Sequence, residues 1–361
     1  MFVLTTKSHT LTKMMLMSCK FSSSLSPSHT FPSFSVSATS GTCKLTWDHV
    51  LHISESKHVT QQDPSSYLQG YFHKVQLCNR GSDKQSEFLP FVIEGHVVGF
   101  IHNRFVEHLR RFNNVFVFTN DGGPVGDCVS LHPLLKTAEE RTSAVAYVIE
   151  HLGEKYIPHI RNELYPVKSS FDKPTFFSLE RAAAPYFGIK AYAIHMSGYV
   201  ELDGEKHLWI AKRSHSKSTY PGLLDHLVAG GLVSDGIDCR ENVVKECEEE
   251  AGIPRSISIK AKPVGAISYM DIDGYRYQRY VVFSYDLILP ESFEPKNEDG
   301  EVDSFKLIPV KQVAEVIRKT QFFKPNCAIG IIDFLFRHGY ISPENHGYLD
   351  LLRSLIKGDC S

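Results

Sequence analysis

The sequence has no run of about 18 consecutive apolar residues, so we expect no membrane-spanning helix. None of its eight cysteines lies in a Cys-x-x-Cys pair, which argues against a zinc or disulfide framework and predicts reduced thiols in an intracellular protein. A phosphate-binding loop of the Gly-x4-Gly-Lys-Ser/Thr type is also missing. The 361 residues are 42% hydrophobic and 22% charged, an ordinary soluble composition that is long enough for two domains.

Acidic residues and arginine are absent from residues 1–44, which are rich in serine and threonine and contain Lys7, Lys13, Lys20 and Lys44. This composition resembles an organellar transit peptide, and the lack of arginine favours a plastid over a mitochondrion. A disordered tail is the alternative. Removal of the four lysines would change the formal net charge from −2 to −6. We therefore expect no non-specific nucleic-acid partner, because an acidic protein repels the phosphate backbone.

The clearest chemical signal lies between Gly230 and Ile253. Asp238 is a suitable N-cap, and Glu241 three residues later completes a capping-box pattern. Gly252 follows as a C-terminal stop. The pattern predicts a helix from Cys239 to Ala251.

Three carboxylates share one side of this predicted helix. Glu246, Glu249 and Glu250 fall within an arc about 100° wide, whereas Glu248 points away. A neighbouring apolar arc, suited to packing on a core, consists of Val243, Val244, Cys247 and Ala251. Oxygen ligands at positions i, i+3 and i+4 suit Mg²⁺ or Mn²⁺, which would support attack of water on a phosphoanhydride. The alternative is a solvated acidic helix face.

The same segment resembles the Nudix box, G-x5-E-x7-R-E-U-x-E-E-x-G-U with U aliphatic, when Gly231 takes the first position. Ile237 stands where the pattern has its first glutamate, and Lys245 stands where it has arginine. Lysine keeps the charge but lacks the planar guanidinium fork. The resemblance implies a diphosphohydrolase in which Glu246, Glu249 and Glu250 bind Mg²⁺ or Mn²⁺. The two departures leave the number of metal ions and the rate open.

Residues 45–173 are predicted to form a separate, smaller α+β domain before the Nudix domain at 174–361. Its predicted strands are Phe91–Ile93, Val97–Ile101 and Val115–Phe118, and its predicted helices are Ala138–His151 and Lys155–Leu164. The phrases PFVIEGHVVGFI and DGYRYQRYV resemble the thiamin pyrophosphokinase-related Nudix proteins, which carry an N-terminal domain of uncharacterised role. The expected fold class is α+β, with an α/β/α Nudix sandwich built on a mixed β-sheet.

Candidate substrate-binding residues flank the box. Arg213 and Lys217 supply cations for phosphate, and Tyr220 supplies an aromatic face, although such residues are common in any surface loop. Tyr275 and Tyr277 share one face of a predicted strand and are candidates for stacking on a ring, with core packing as the alternative.

Glu301, in an acidic turn after the box, is a candidate for an extra metal or water contact, with a solvated loop acid as the alternative. The favoured function is hydrolysis of a diphosphate linkage, with Glu246, Glu249, Glu250 or Glu301 assisting deprotonation of water. The family resemblance implies a nucleoside diphosphate derivative or a thiamin diphosphate analogue as the small-molecule substrate, cleaved to a monophosphate. The alternatives are a non-catalytic diphosphate-binding module and, less favoured, a thiamin pyrophosphokinase.

Overall fold

The computed structural model describes residues 44–55, 66–119, 126–232 and 238–358. The predicted transit peptide lies outside these ranges except for Lys44, and Ile237 lies outside them as well. Helices α1 and α2 come first in the described chain, and a 3₁₀ helix follows them; they span Trp47–Glu55, Gln69–Leu77 and Ser82–Glu87.

The N-terminal part contains a four-stranded sheet in the order β2-β1-β4-β3. Its elements are β1 (Phe88–Ile93), β2 (His96–His102), α3 (Asn103–Leu109), β3 (Phe116–Thr119), β4 (Cys128–Leu131) and α4 (Ala138–Tyr156). The predicted strands and the first predicted helix are therefore confirmed. Strands β1 and β2 form the expected hairpin around Glu94 and Gly95, both of which have positive φ.

The second predicted helix, at residues 155–164, is wrong. Helix α4 ends at Tyr156, and Leu164–Val167 forms strand β5, which pairs with strand β6 at Phe177–Glu180. Pro158 lacks a backbone N–H, and His159 and Asn162 have positive φ, so a helix cannot continue through this stretch.

A mixed seven-stranded sheet forms the centre of the remaining chain. Its strands are β7 (Lys190–Leu202), β8 (Glu205–Arg213), β9 (Leu224–Asp225), β10 (Val228–Gly231), β11 (Lys262–Asp273), β12 (Arg276–Ile288) and β13 (Val302–Pro309). Five of them follow the order β11-β12-β7-β8-β13, while β10 pairs with β7 and β9 pairs with β8. The β7–β12 pair is parallel and the other pairs in this sheet are antiparallel.

Helices cover both faces of this sheet, which makes the predicted α/β/α sandwich. The helices are α5 (Cys239–Ala251), α6 (Arg255–Ser258), α7 (Val310–Lys319), α8 (Pro325–Arg337) and α9 (Tyr348–Ser354). Helix α5 packs on one face, with Val243 and Cys247 against Ile194 and Met196. Helices α7 and α8 pack on the other face, where Phe334 and Ile332 join its core. The expected α+β class, with an α/β/α sandwich on a mixed sheet, is thus confirmed.

Helices α1 and α2 lie with the second of these faces, although they precede the N-terminal sheet in sequence. Tyr71 is buried there, and its hydroxyl donates a hydrogen bond of 3.3 Å to the carbonyl of Ala314. The N-terminal sheet has its own core around Phe91, Phe105 and Val148.

Cysteines 78, 128, 239, 247 and 327 are free thiols. None of the helices in the described ranges has the length and apolar character needed to cross a membrane.

Candidate active site

Helix α5 begins and ends where the sequence predicts. The Asp238 side chain accepts a hydrogen bond of 2.7 Å from the backbone N–H of Glu241, and Gly252 ends the helix with φ of 60°. The other half of the predicted capping box is not formed. Instead, the Glu241 carboxylate makes an ion pair of 2.8 Å with Arg255, because that guanidinium offers a charged partner.

The apolar arc of α5 is buried as predicted, and Glu248 is exposed on another side of the helix. Burial of this arc fixes the rotation of the helix, so the direction of the carboxylates is set by the core. Asn242, one turn before Glu246, is also buried, and its Nδ2 has no hydrogen-bond partner among the described residues.

Glu250 joins the helix to the strand before the box. Its Oε2 atom accepts a hydrogen bond of 2.8 Å from the backbone N–H of Ala229 in β10. Burial raises the pKa of the Glu250 carboxyl well above its usual value, and the nearby Glu246 adds to the rise.

Glu246 lies against the backbone of Gly230. A Cβ atom at position 230 would lie 2.3 Å from Cδ of Glu246, so glycine is required for the carboxylate to approach this strand. Burial also raises the pKa of Glu246, while Lys245 opposes the rise from 3.7 Å away. Glu246 and Glu250, both with raised pKa values, therefore lie beside the end of β10 that contains Gly230.

Glu249 is not brought into this arrangement. Its side chain is about half exposed and makes an ion pair of 2.7 Å with Lys245. Within the described ranges, no three His, Cys, Asp or Glu side chains are arranged as a complete set of metal ligands. A third carboxylate would have to rotate to complete one.

A small cleft opens where β10 separates from β8 and β9. Its lining includes Glu250, Glu301, Arg213, Asp225 and His226. Three residues predicted from separate parts of the sequence, namely Arg213, Glu250 and Glu301, therefore face one space. The cleft also contains Asp225 and His226, which the sequence did not single out.

Arg213 has its donors engaged by the protein. It makes an ion pair of 2.8 Å with Asp225, and it donates to the carbonyl oxygens of Thr219 and Tyr220 at 2.8 and 3.1 Å. In the structure, its guanidinium holds the loop between β8 and β9.

Asp225 is buried and shares its carboxylate between two cations, Arg213 and Lys324, the latter at 3.0 Å. Burial by itself would raise the pKa of Asp225, but Lys324 and Arg213 outweigh burial and hold the pKa well below its usual value. One sequence feature does point to Asp225, namely an acidic residue inside the apolar run Leu223–Ala229. Such a position predicts a buried carboxylate with a charged partner, because carboxylates are rarely buried without one.

Lys217 and Glu301 make an ion pair with each other. The backbone N–H of Ser214 donates a hydrogen bond of 2.9 Å to the carbonyl oxygen of Glu301. These contacts join the loop after β8 to the turn before β13. Tyr220 lies in the same loop and is 47% exposed, which leaves its ring available at the surface.

Tyr275 and Tyr277 lie elsewhere, against the N-terminal sheet. Tyr277 is only 5% exposed, its ring centroid is 5.2 Å from that of Phe88, and its hydroxyl accepts from Gln85 at 2.9 Å. The Tyr275 ring centroid is 4.8 Å from that of His102. The prediction that they stack on a substrate is therefore corrected, because these rings fill the contact between the β11–β12 hairpin and the N-terminal sheet.

Comparison with protein-family models gives two matches. Residues 196–326 match the NUDIX domain, and residues 70–191 match a domain of unknown function, DUF4743. The predicted relation of the N-terminal part to thiamin pyrophosphokinase therefore stays a prediction, as do the exact domain limits at residues 45, 173 and 174.

Two curated relatives come from Arabidopsis thaliana. The chain is 61% identical over 320 residues to "Nudix hydrolase 20, chloroplastic", covering 88% of this chain and 84% of the relative. It is 56% identical over 355 residues to "Nudix hydrolase 24, chloroplastic", covering 98% of this chain and 95% of the relative. Among solved structures, the NUDIX domain of Shewanella oneidensis NrtR in complex with ADP ribose is 14% identical, with a TM-score of 0.32. The match covers 42% of this chain and 90% of that domain.

Proposed function

The chain belongs to the Nudix hydrolase family and is a hydrolase of phosphorus-containing anhydrides, and we propose that its substrate is a nucleoside diphosphate derivative or a thiamin diphosphate analogue. Water would add across the P–O–P linkage, so the products would be a monophosphate and either a second phosphorylated compound or inorganic phosphate. Mg²⁺ or Mn²⁺ is the proposed cofactor, because hard cations prefer carboxylate and phosphate oxygens.

The arrangement of Glu246 and Glu250 beside Gly230 is the observation that carries this proposal. Burial raises the pKa of both carboxyls. The carboxylates of Glu246, Asp225 and Glu301 raise the pKa of Glu250 further, while the hydrogen bond from the Ala229 N–H lowers it. Such a set is electrostatically unfavourable until a cation joins it. The donor types therefore fit a divalent cation held by Glu246 and Glu250, with Glu249 as the proposed third ligand.

When bound, the metal would neutralise the diphosphate and lower the pKa of a water molecule. The protein's own groups have separate proposed tasks. Glu301 faces the cleft, where it can accept a proton from the attacking water. Lys217 is the proposed phosphate contact once Glu301 releases it, whereas Arg213 would hold the loop and add positive charge to the cleft wall.

We also propose that the protein acts in the plastid and that residues 1–44 are its transit peptide. The support is their composition and the chloroplastic names of both Arabidopsis relatives. A fusion of residues 1–44 to a fluorescent protein should enter chloroplasts in leaf cells. Cytosolic fluorescence would contradict this assignment.

A phosphate-release screen of the full chain tests the reaction and substrate together. Nucleoside, sugar and thiamin-type diphosphates are incubated with Mg²⁺ or Mn²⁺, and the products are identified by mass. We expect turnover of at least one compound and its loss in the Glu249→Gln/Glu250→Gln double variant. Glu248→Gln is the matched control, because Glu248 is exposed on a different side of α5. Near wild-type activity in the double variant would contradict the mechanism.

A further inference from the structure

The side chain of Asn242 carries a buried amide that has no acceptor. Asn242 lies in the first half of α5 and is only 4% exposed. Its Nδ2 atom donates no hydrogen bond to any residue in the described ranges. A buried donor in this state is unfavourable, so the stability of the fold does not explain an asparagine at this position.

The carboxylate of Glu246 has the complementary deficit. Its side chain is only 15% exposed, and it accepts no hydrogen bond from a residue that the structure describes. Lys245 is 3.7 Å away and pairs more closely with Glu249, at 2.7 Å. One oxygen of Glu250, in contrast, is held by the backbone N–H of Ala229. Of these two buried carboxylates, Glu246 is therefore the one that no donor orients.

Asn242, Glu246 and Glu250 form one ridge of α5. They are spaced four residues apart, and four residues turn a helix by about 400°, so the three side chains lie within an arc of about 80°. The last two contact β10, at Gly230 and Ala229. Helical side chains also lean toward the N-terminus of the helix, which directs the Glu246 carboxylate over the turn that contains Asn242. The donor without an acceptor and the carboxylate without a donor are thus neighbours.

The separation of the two positions suits a hydrogen bond. Cβ atoms four residues apart on a helix are about 5–6 Å from each other, and polar side chains at this spacing form hydrogen bonds. The helix backbone already sets this separation. Rotation of the Glu246 side chain is therefore enough to bring one carboxylate oxygen to Nδ2 of Asn242.

The residue at position 245 gives such a donor a task. Lys245 stands where the Nudix pattern has arginine, and lysine lacks the planar fork that holds a carboxylate through two N–H groups. Its ammonium group is engaged by Glu249. A neutral amide can orient Glu246 without cancelling the negative charge that a divalent cation requires.

We propose that Asn242 is a positioning residue, whose Nδ2 donates to one carboxylate oxygen of Glu246 and directs the other oxygen toward a divalent cation. Glu246 would then match Glu250, in which the Ala229 N–H holds one oxygen and leaves the other free. The inference rests on the proposed function, because it assigns a role in metal binding. Partners that orient metal ligands typically contribute about 10–100-fold in metal affinity.

Calorimetric titration of the full chain with Mn²⁺ alone tests the assignment without turnover. Asn242→Ala removes the amide, and we expect the Mn²⁺ affinity to fall about 10-fold or more. The melting temperature should equal or exceed that of the wild type, because the variant removes a buried donor without an acceptor and alanine is the better helix former. Asn242→Gln keeps an amide donor and should bind Mn²⁺ more tightly than Asn242→Ala.

Val243→Ala is the matched control on the same helix. Val243 is buried and packs in the core with Ile194 and Met196, so its truncation should lower the melting temperature and leave the Mn²⁺ affinity unchanged.

Two results would overturn the inference. One is an unchanged Mn²⁺ affinity in Asn242→Ala. The other is a fall in affinity that comes with the same loss of melting temperature as in Val243→Ala, since Asn242 would then act through the fold. A wild-type chain that binds neither Mn²⁺ nor Mg²⁺ would instead contradict the proposed function on which the inference rests.

Discussion

The carboxylate of Glu250 accepts a 2.8 Å hydrogen bond from the backbone N–H of Ala229, and this contact ties the acidic helix to the strand that precedes it. The bond orients one carboxylate oxygen and leaves the other free for a ligand. Because the contact is made to the backbone, it is independent of the side chain at position 229. The carboxylate position is therefore set by the fold of β10 and α5.

Glu250→Gln should abolish most activity while the protein stays folded. The glutamine carbonyl can still accept from the Ala229 N–H, but it lacks the negative charge that a metal requires. Loss of a supporting partner of a metal ligand costs about 10–100-fold, so loss of a ligand should cost at least about 100-fold in kcat. Mn²⁺ titration by calorimetry and phosphate release measure both effects. Glu248→Gln is the control, and unchanged Mn²⁺ affinity in Glu250→Gln would refute the ligand role.

Gly230→Ala should damage the site more than the fold. The new Cβ would lie 2.3–2.6 Å from Cδ, Cγ and Oε1 of Glu246, and this flexible side chain can move away at small cost to stability. We expect a loss of about 10-fold or more in metal affinity with a melting temperature close to that of the wild type.

Gly330→Ala provides the contrast to Gly230→Ala. A Cβ there would lie 2.6 Å from Nε2 of His226 inside the core, so overpacking should lower stability by about 1–3 kcal/mol. Calorimetric melting of both variants checks the pair. A larger drop in melting temperature for Gly230→Ala than for Gly330→Ala would contradict the expectation that Gly230 serves the site and Gly330 serves the core.

Asp225→Asn should destabilise the protein strongly. Arg213 and Lys324 have side chains only 12% and 17% exposed, and they would lose the carboxylate that they share. Removing one partner of a buried ion pair costs about 3–5 kcal/mol, which urea unfolding at neutral pH would measure.

The matched control is Asp303→Asn. Asp303 pairs with Lys212 at 3.0 Å, but its side chain is 44% exposed, so its removal should cost no more than about 1 kcal/mol. Similar free-energy losses in the two variants would show that the Asp225 cluster has no special structural role.

Stability should fall as the pH is lowered through the range set by His226. Burial lowers the pKa of His226 from 6.5 to about 4, with Lys324 contributing and Asp225 and Asp286 opposing the shift; His195 contacts the same ring. In the unfolded chain His226 takes up a proton below a pH of about 6.5, whereas in the folded chain it does so only near pH 4. Titration of His226 therefore lowers the free energy of unfolding by about 3 kcal/mol as the pH falls over that interval.

Urea unfolding at pH 7.5, 6 and 5 tests this pH dependence. His226→Gln cannot take up the proton, so its free energy of unfolding should decline less steeply with falling pH than that of the wild type. His96→Gln, at an exposed position in the N-terminal sheet, is the control. Identical slopes for His226→Gln and wild type would rule out His226 as the source.

Local signals explain why the limits of α5 were predictable. The N-cap Asp238 and the terminating Gly252 act through contacts within a few residues, which are present in the sequence itself. Tyr275 and Tyr277 show the opposite case. Strand periodicity placed them on a face but carried no information about what would cover it, and a second sheet covers it here.

The sequence by itself determined the α+β class, the helix from Cys239 to Ala251 and the direction of its buried arc, because periodicity and capping are local properties. Tertiary structure alone decided which side chains meet. It separated Glu249 from Glu246 and Glu250, and it assigned Arg213 to Asp225. It also placed the Asn326 side chain 3.3 Å from the hydroxyl of Tyr269, more than fifty residues away in sequence. Such contacts depend on the packing of several elements on one sheet, which no local pattern encodes.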